Sequence, residues 1–324
     1  MSDGYIAYGP VPSRRLGQSI GVNNIPPKTC SYACIYCQLG PTSHMDVTRD
    51  DFYDPADIVR EVNKRLRHAQ NASARVDFVT FVADGEPTLD RRLGQEIDLV
   101  KNLGVKVAVI SNTSLITDPC VRQDLSRADW VSLKVDAADE DTWRHINRPH
   151  GSLGLDRIQA GAREFSAAFR GELATETMLV HRVNDAPEQM DAIADFLGQL
   201  ELSTAYISVP TRPPALPDAT AASEDALTTA HQVFLTRVPA VELLTGYEGN
   251  AFAYTGDARA DLLSITAVHP MREDAVRELL QRCGADWHVV QDLVNGGQLK
   301  QAAYQGRTFF LRTLPKTRTR SDYQ

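Results

Sequence analysis

The feature that most restricts this chain is an alternation of strand and helix signals, repeated about six times between residues 19 and 209. Short β-rich runs occur at Ser19–Asn23, Val76–Val82, Val105–Ile110, Trp130–Val135, Leu173–Val180 and Ala205–Val209. Helical stripes separate them. Ile58, Val62 and Leu66 recur every four residues in 55–69, and a second helix covers 91–103, ending at Gly104. A third opens at Asp118-Pro119. Leu155, Ile158, Ala162, Phe165 and Phe169 share one face of 154–169, as do Met190, Ile193, Ala194, Leu197 and Leu200 in 187–200. Asp54-Pro55 supplies a side-chain cap and a proline suited to the first helical position. Such alternation predicts parallel strands joined by crossover helices, in a barrel or in an open, doubly wound sheet. Periodicity does not separate these two. Residues 5–17, punctuated by glycine and proline, read as an irregular lead-in.

Between the first strand and the first helix lies Thr29-Cys30-Ser31-Tyr32-Ala33-Cys34-Ile35-Tyr36-Cys37. Three cysteines spaced C-x3-C-x2-C can hold three corners of one polynuclear metal centre. Cys120 and Cys283 are far away in sequence, so one position would stay open to another molecule. The competing reading is a structural zinc site with His44 as fourth ligand. Other polar signals fall where strands end. They are Ala83-Asp84-Gly85-Glu86-Pro87-Thr88-Leu89, then Ser111-Asn112-Thr113-Ser114, Lys134 with Asp136, and Thr211-Arg212-Pro213-Pro214.

Cys30, Cys34 and Cys37, with an aromatic residue just before the third, resemble the cluster loop of the radical S-adenosylmethionine (SAM) superfamily. The resemblance implies an α/β fold, a partial (β/α)6 TIM-like barrel, with the chemistry at the C-terminal strand ends. It implies a [4Fe–4S] cluster and SAM as cofactors. It also implies an enzyme that reductively cleaves SAM to a 5′-deoxyadenosyl radical and takes hydrogen from a substrate. Gly85 and Glu86 resemble the superfamily's "GE" motif, in which a glycine admits close backbone approach and a carboxylate suits the SAM ammonium. Ser111 and Asn112 resemble its ribose-contacting strand end, and Tyr36 the position beside adenine. Lys134 is a candidate partner for the SAM carboxylate, and Arg212 a candidate substrate-side residue.

Gly9–Gly17, Ala83–Leu89, Ser132–Ala138 and Ile146-Asn147-Arg148-Pro149 resemble the wyosine-synthetase-like group of that superfamily. Members that form the tricyclic tRNA base use a second cluster on three further cysteines. Here only Cys120 and Cys283 remain, so one cluster is expected. A tRNA-modifying enzyme of the same superfamily is one alternative. A zinc-stabilised nucleic-acid-binding or regulatory protein is another.

After the proline-rich exit at Pro210–Pro217 come a helix at 223–237, the run Val241–Leu244 and a loop, Thr245–Gly256, containing Tyr247 and Glu248. Then the pattern resets. Ala275, Val276, Leu279, Leu280 and Cys283 mark one helix, and Trp287, Val290, Leu293 and Val294 a second. Leu299–Tyr304 and Thr308–Leu311 read as a hairpin. Helix, helix, hairpin is the order of a winged-helix-like α+β unit. The expected domains are therefore a barrel at 1–256, a winged-helix-like domain at 257–315 and a basic tail at 316–324. Arg307, Arg312, Lys316, Arg318 and Arg320 could meet nucleic-acid phosphates, so an RNA or protein partner is expected there. A substrate and an electron donor such as flavodoxin or ferredoxin complete the expected partners. The net charge of −8 argues against binding polyanions over the whole surface. Five cysteines, three of them clustered, fit a reducing compartment. With no secretory signal and no apolar run long enough for a bilayer, the expectation is a cytoplasmic protein free of membranes.

Overall fold

The computed structural model describes residues 6–245, 256–268 and 270–313. The basic tail 316–324, the end of the 257–315 unit and most of the loop with Tyr247 and Glu248 lie outside the described residues. The chain enters through β1 (Ala7–Ser13), antiparallel to β2 (Gly17–Val22). A two-residue ladder between β3 (Thr29–Cys30) and β4 (His44–Met45) brackets the cysteine loop. Strands and helices then alternate: α1 (Pro55–Asn71), β5 (Phe78–Phe81), α2 (Leu93–Lys101), β6 (Lys106–Ser111), α3 (Pro119–Leu125) and β7 (Trp130–Lys134). They are followed by α4 (Glu140–Asn147), α5 (Leu155–Ala168), β8 (Glu172–Met178), α6 (Pro187–Leu197), β9 (Thr204–Ser208), α7 (Glu224–Leu235) and β10 (Val241–Leu244). The helix starts follow from local chemistry. Asp54 and Asp118 each accept a hydrogen bond from the first-turn amide, of Ala56 and Cys120, and a proline follows each cap.

The eight-stranded sheet runs β1-β2-β5-β6-β7-β8-β9-β10, and all neighbours from β2 onward are parallel. Spatial order equals chain order, so every crossover steps the same way around the sheet. A doubly wound sheet would reverse direction at a switch point. The sheet is therefore a partial barrel, and the topology resolves the ambiguity that periodicity left. Its parallel strands are covered on both sides, which is why they read as continuous apolar runs. Val79, Phe81, Val107, Val109, Val131 and Leu133 are fully buried in one core. Each contributes roughly 1.5–3 kcal/mol relative to exposure.

Two readings need correction. Residues 7–13 form a strand, not an irregular lead-in. Pro10 and Pro12 are tolerated because β1 is the edge strand, and an irregularity between Tyr8 and Val11 absorbs the mismatch. Helix α4, between β7 and α5, was not anticipated.

The C-terminal unit begins with another unanticipated helix, α8 (Ala258–Val268), and continues through β11 (Met271–Arg272), α9 (Glu273–Arg282), α10 (His288–Asn295), β12 (Leu299–Tyr304) and β13 (Arg307–Arg312). Its three strands form an antiparallel sheet ordered β11-β13-β12. Leu262, Met271, Val276, Leu279, Leu293 and Phe310 belong to a core of its own. It docks on the barrel at two places. Val11 of β1 packs against that core while Arg65 donates to Ser264 Oγ at 3.4 Å. The Tyr304 hydroxyl donates to the Pro210 carbonyl at 3.0 Å. No helix among the described residues is long and apolar enough to cross a membrane.

Candidate active site

The C-terminal ends of β5, β6, β7, β8, β9 and β10 open on one cavity of about 310 Å³. Cys30, Cys34, Cys37, Tyr36, Gly85, Ser111, Asn112, Lys134 and Arg212 all line it. Residues scattered over some 180 positions meet there because in-order parallel strands deliver every strand end to the same rim.

The cysteine loop is held from two sides. On one side it pairs with the segment that ends α4. Ala33 N donates to Asn147 O at 3.0 Å, Ile35 N to Ile146 O at 2.9 Å, and His150 N to Ser31 O at 2.9 Å. Arg148 takes a left-handed conformation, φ 45°, where α4 stops and the chain turns alongside the loop. On the other side Gly85 meets the loop's backbone. A Cβ at Gly85 would stand 1.8 Å from the Thr29 carbonyl oxygen, so no other residue fits without displacing the loop. The glycine admits the close approach of backbone to backbone.

Two side-chain amides address the sulfurs. Asn112 Nδ2 lies 3.5 Å from Cys30 Sγ and 2.9 Å from Ser31 Oγ. Asn147 Nδ2 lies 3.4 Å from Cys34 Sγ and 2.7 Å from Asp136 Oδ2. Burial pushes all three thiols above their ordinary range. Cys34 rises to about 12, with the Asp136 carboxylate adding to the effect of burial. Thiols that resist ionisation when alone, yet lie together on one wall with amide donors on their sulfurs, suit a cationic iron centre that stabilises the thiolates. The residues present therefore fit a cluster bound through Cys30, Cys34 and Cys37. His44 is 58% exposed, faces Asp46 at 3.5 Å and does not line the cavity. Among the described residues, no three His, Cys, Asp or Glu side chains are grouped to hold one metal ion. Cys120 and Cys283 do not line the cavity either.

The structure places Glu86 differently from the expectation. Its carboxylate is fully buried and does not face the cavity. It accepts from Thr88 N at 3.1 Å, Thr88 Oγ1 at 2.6 Å, Ser111 Oγ at 2.8 Å and Asn112 N at 2.6 Å. Burial raises its pKa, against those donors. Glu86 thus ties the end of β6 to the turn at Pro87–Leu89, and a ligand's ammonium would have to compete with four internal donors. Asp84, two residues earlier, does line the cavity, as does Glu176 of β8.

The opposite wall is ionic. Lys134 Nζ lies 3.0 Å from Glu176 Oε1, and the Arg15 guanidinium pairs with the other oxygen of Glu176. Ser208 Oγ donates to Glu176 at 3.1 Å. Burial alone would raise Glu176; Arg15 and Lys134 outweigh it and hold the carboxyl well below the usual carboxylate range. Burial would lower Lys134, but Asp136 and Glu176 hold it above its ordinary value. Lys134 also sits 5.2 Å over the Tyr36 ring, whose hydroxyl donates to Asp136. Arg212 donates to Gln38 Oε1 at 2.6 Å and closes the rim. Asp136 was noted only beside Lys134, and Arg15, Asn147 and Glu176 were not singled out from the sequence. The first three lie in or beside quoted motifs, but their roles exist only through partners distant in the chain.

Comparison with known proteins agrees with this geometry. The sequence model of the Radical SAM superfamily matches residues 24–197. The UPF0026 protein MJ1312 of Methanocaldococcus jannaschii is 40% identical over 311 residues, covering 95% of this chain and 96% of that one. A radical SAM methyltransferase from Sphaerobacter thermophilus shares the fold at TM-score 0.55 and 15% identity, over 70% of this chain and 66% of its own. A structure of TYW1 with a lysine-pyruvate adduct does so at 0.51 and 14%, over 68% and 74%. With its cysteine loop at the rim of an in-order parallel barrel and a family match over more than half its length, the chain belongs to the radical SAM superfamily, whose enzymes work with a [4Fe–4S] cluster and SAM.

Proposed function

We propose that Cys30, Cys34 and Cys37 hold the cluster, that SAM lies against Tyr36, Asp84–Gly85, Ser111–Asn112 and Lys134, and that a substrate is positioned on the Arg212 side of the same cavity. The observation carrying this reading is that three thiols and the polar strand ends share one cavity wall to wall. When bound, the cluster supplies one electron to SAM, whose reductive cleavage provides the hydrogen-abstracting species.

The chain's own residues do the rest. Asn112 and Asn147 orient the ligating sulfurs by donating to them. Glu86 fixes the end of β6, so Ser111 and Asn112 present a set geometry to the ribose. Asp84 takes the role first expected of Glu86, facing the ammonium. Lys134 stays protonated through Glu176 and Asp136 and is available to a carboxylate. Tyr36, braced by Asp136, walls off the adenine side and excludes water. The barrel is assigned to 1–256 and a substrate- or partner-recognising unit to 257–315. RNA or protein is the partner class there, and a flavodoxin or ferredoxin is the reductant.

The test is anaerobic reconstitution with iron and sulfide, then dithionite and SAM. Wild type should release 5′-deoxyadenosine and methionine, and a Cys30→Ala, Cys34→Ala, Cys37→Ala variant should release neither. A wild-type protein that carries four irons per chain but leaves SAM intact would overturn the reading.

A further inference from the structure

We infer that the seam between the barrel and the C-terminal unit is an anion-binding subsite, taking a phosphate or carboxylate group of multiple charge on the substrate. This rests on the placement of the substrate in the main cavity and extends it. A second cleft, about 140 Å³, lies at that seam. Lys28 and Gln38 line it from the barrel, and Thr266, Lys300, Arg312 and Thr313 from the C-terminal unit. Three cations, two hydroxyls and an amide therefore meet, and among the described residues no carboxylate lines the cleft. Such a set offers charge-assisted hydrogen bonds to an anion and nothing comparable to a cation.

Composition does not explain this concentration, because the chain as a whole carries a net charge of −8. Lys28, Gln38 and Leu39 also line the main cavity, so the two spaces share a wall. The rim of the main cavity adds Arg14 and Arg212. A substrate anchored by its anionic end at the seam would extend its other end toward the cysteine loop.

Lys28 carries an independent sign of selection for place. Its backbone is left-handed, φ 60°, a conformation that costs a residue other than glycine about 1–3 kcal/mol. The surroundings impose it. Lys28 N donates to Asp84 O at 2.6 Å, and its carbonyl accepts from His44 N at 3.1 Å. The fold thus accepts strain while holding a cation at the wall common to both spaces. The remaining cations arrive on β12 and β13, fixed by the contact of Tyr304 with Pro210. The subsite exists only when the two units are docked.

The test uses the full reconstituted chain and two probes, inorganic pyrophosphate and citrate, titrated calorimetrically at low salt. One equivalent of at least one probe should bind. Pyrophosphate alone would identify a phosphate source, and citrate alone a carboxylate source. Lys300→Gln, at an exposed side chain, should weaken binding several-fold, and Lys300→Gln with Arg312→Gln at least tenfold. Arg312 also donates to the Leu263 carbonyl, so the single Lys300→Gln variant keeps the test sound if the double variant loosens the unit. Failure of wild type to bind either probe, or affinities unchanged in both variants, would overturn the inference. Release of 5′-deoxyadenosine by wild type without substrate is scored separately, so failure of the cofactor reading and failure of the anion subsite are distinguishable.

Discussion

The side-chain amide of Asn147 stands 3.4 Å from Cys34 Sγ, although 113 residues separate the two in the chain. An N–H donated to a ligating sulfur withdraws electron density and favours the reduced cluster, so it raises the reduction potential. Asn147→Ala should therefore shift the cluster's midpoint potential to a more negative value, and Asn112→Ala should shift it in the same direction through Cys30. Potentiometric titration followed by electron paramagnetic resonance reads this directly. Unmoved potentials in both variants, with the cluster intact, would show that these amides only brace the loop.

Replacing Cys30, Cys34 and Cys37 by alanine should abolish iron and sulfide binding while leaving the fold in place, because the loop is also held by backbone hydrogen bonds to residues 146–150. Iron analysis and far-ultraviolet circular dichroism check the two halves of this statement. About one four-iron unit per wild-type chain is expected, since Cys120 and Cys283 do not line the cavity. Twice that iron, lost on Cys120→Ala with Cys283→Ala, would reveal a second centre.

Glu86→Gln keeps the shape and replaces an acceptor oxygen by a donor among four donors. The expected cost is about 1.5–3 kcal/mol of stability in the SAM-free protein. Chemical denaturation measures it. A variant as stable as wild type, but with SAM affinity reduced tenfold, would mean that the carboxylate reaches the ligand after all.

Asp90 and Glu96 are both buried carboxyls, and Glu96 accepts from Asn24 Nδ2 at 3.2 Å. Burial, then the Asp90 charge, pushes Glu96 from an ordinary 4.5 to about 9. The folded state thus binds this proton more tightly than the unfolded chain does. Its contribution is fully present below pH 4.5 and is lost as pH rises toward 9, by up to about 1.4 kcal/mol per pH unit. Urea unfolding at several values between pH 6 and 8.5 should show wild type losing stability faster than Glu96→Gln. Parallel profiles for the two proteins would show that Glu96 is ionised in the native state.

Much of the barrel was legible because buried parallel strands such as Val105–Ile110 are nearly continuous β-branched runs, and helices such as 55–69 carry one apolar stripe. What escaped did so for physical reasons. β1 contains Pro10 and Pro12, which argue against a strand unless it is known to be an edge. Helix α8 buries Leu262 and Ile265 in its own core while Ser264 meets Arg65 of the barrel, so no single polar face marks it. The cysteines were legible as a local spacing. The direction of Glu86 was not, because a glycine–glutamate pair at a strand end reads alike whether the carboxylate faces a cavity or the next strand. Glu176 was invisible for a related reason. Within β8 it is one polar residue among threonines, and its partners Arg15, Lys134 and Ser208 stand 161, 42 and 32 positions away in the chain.

The backbone pairing between residues 31–35 and 146–150 bears on how the protein assembles. Bringing these segments together closes a chain loop of more than a hundred residues, and the entropy lost must be recovered from contacts made in between. Those contacts are the strands from β2 to β7 with their covering helices. The cysteine loop therefore reaches its final shape only when residues 146–150 are in place beside it. A nascent chain released before Asn147 would hold its three cysteines from the Gly85 side alone, leaving them more open to oxidation and to the wrong metal. A cluster seated on these thiols would, in that sense, await a residue far downstream of them.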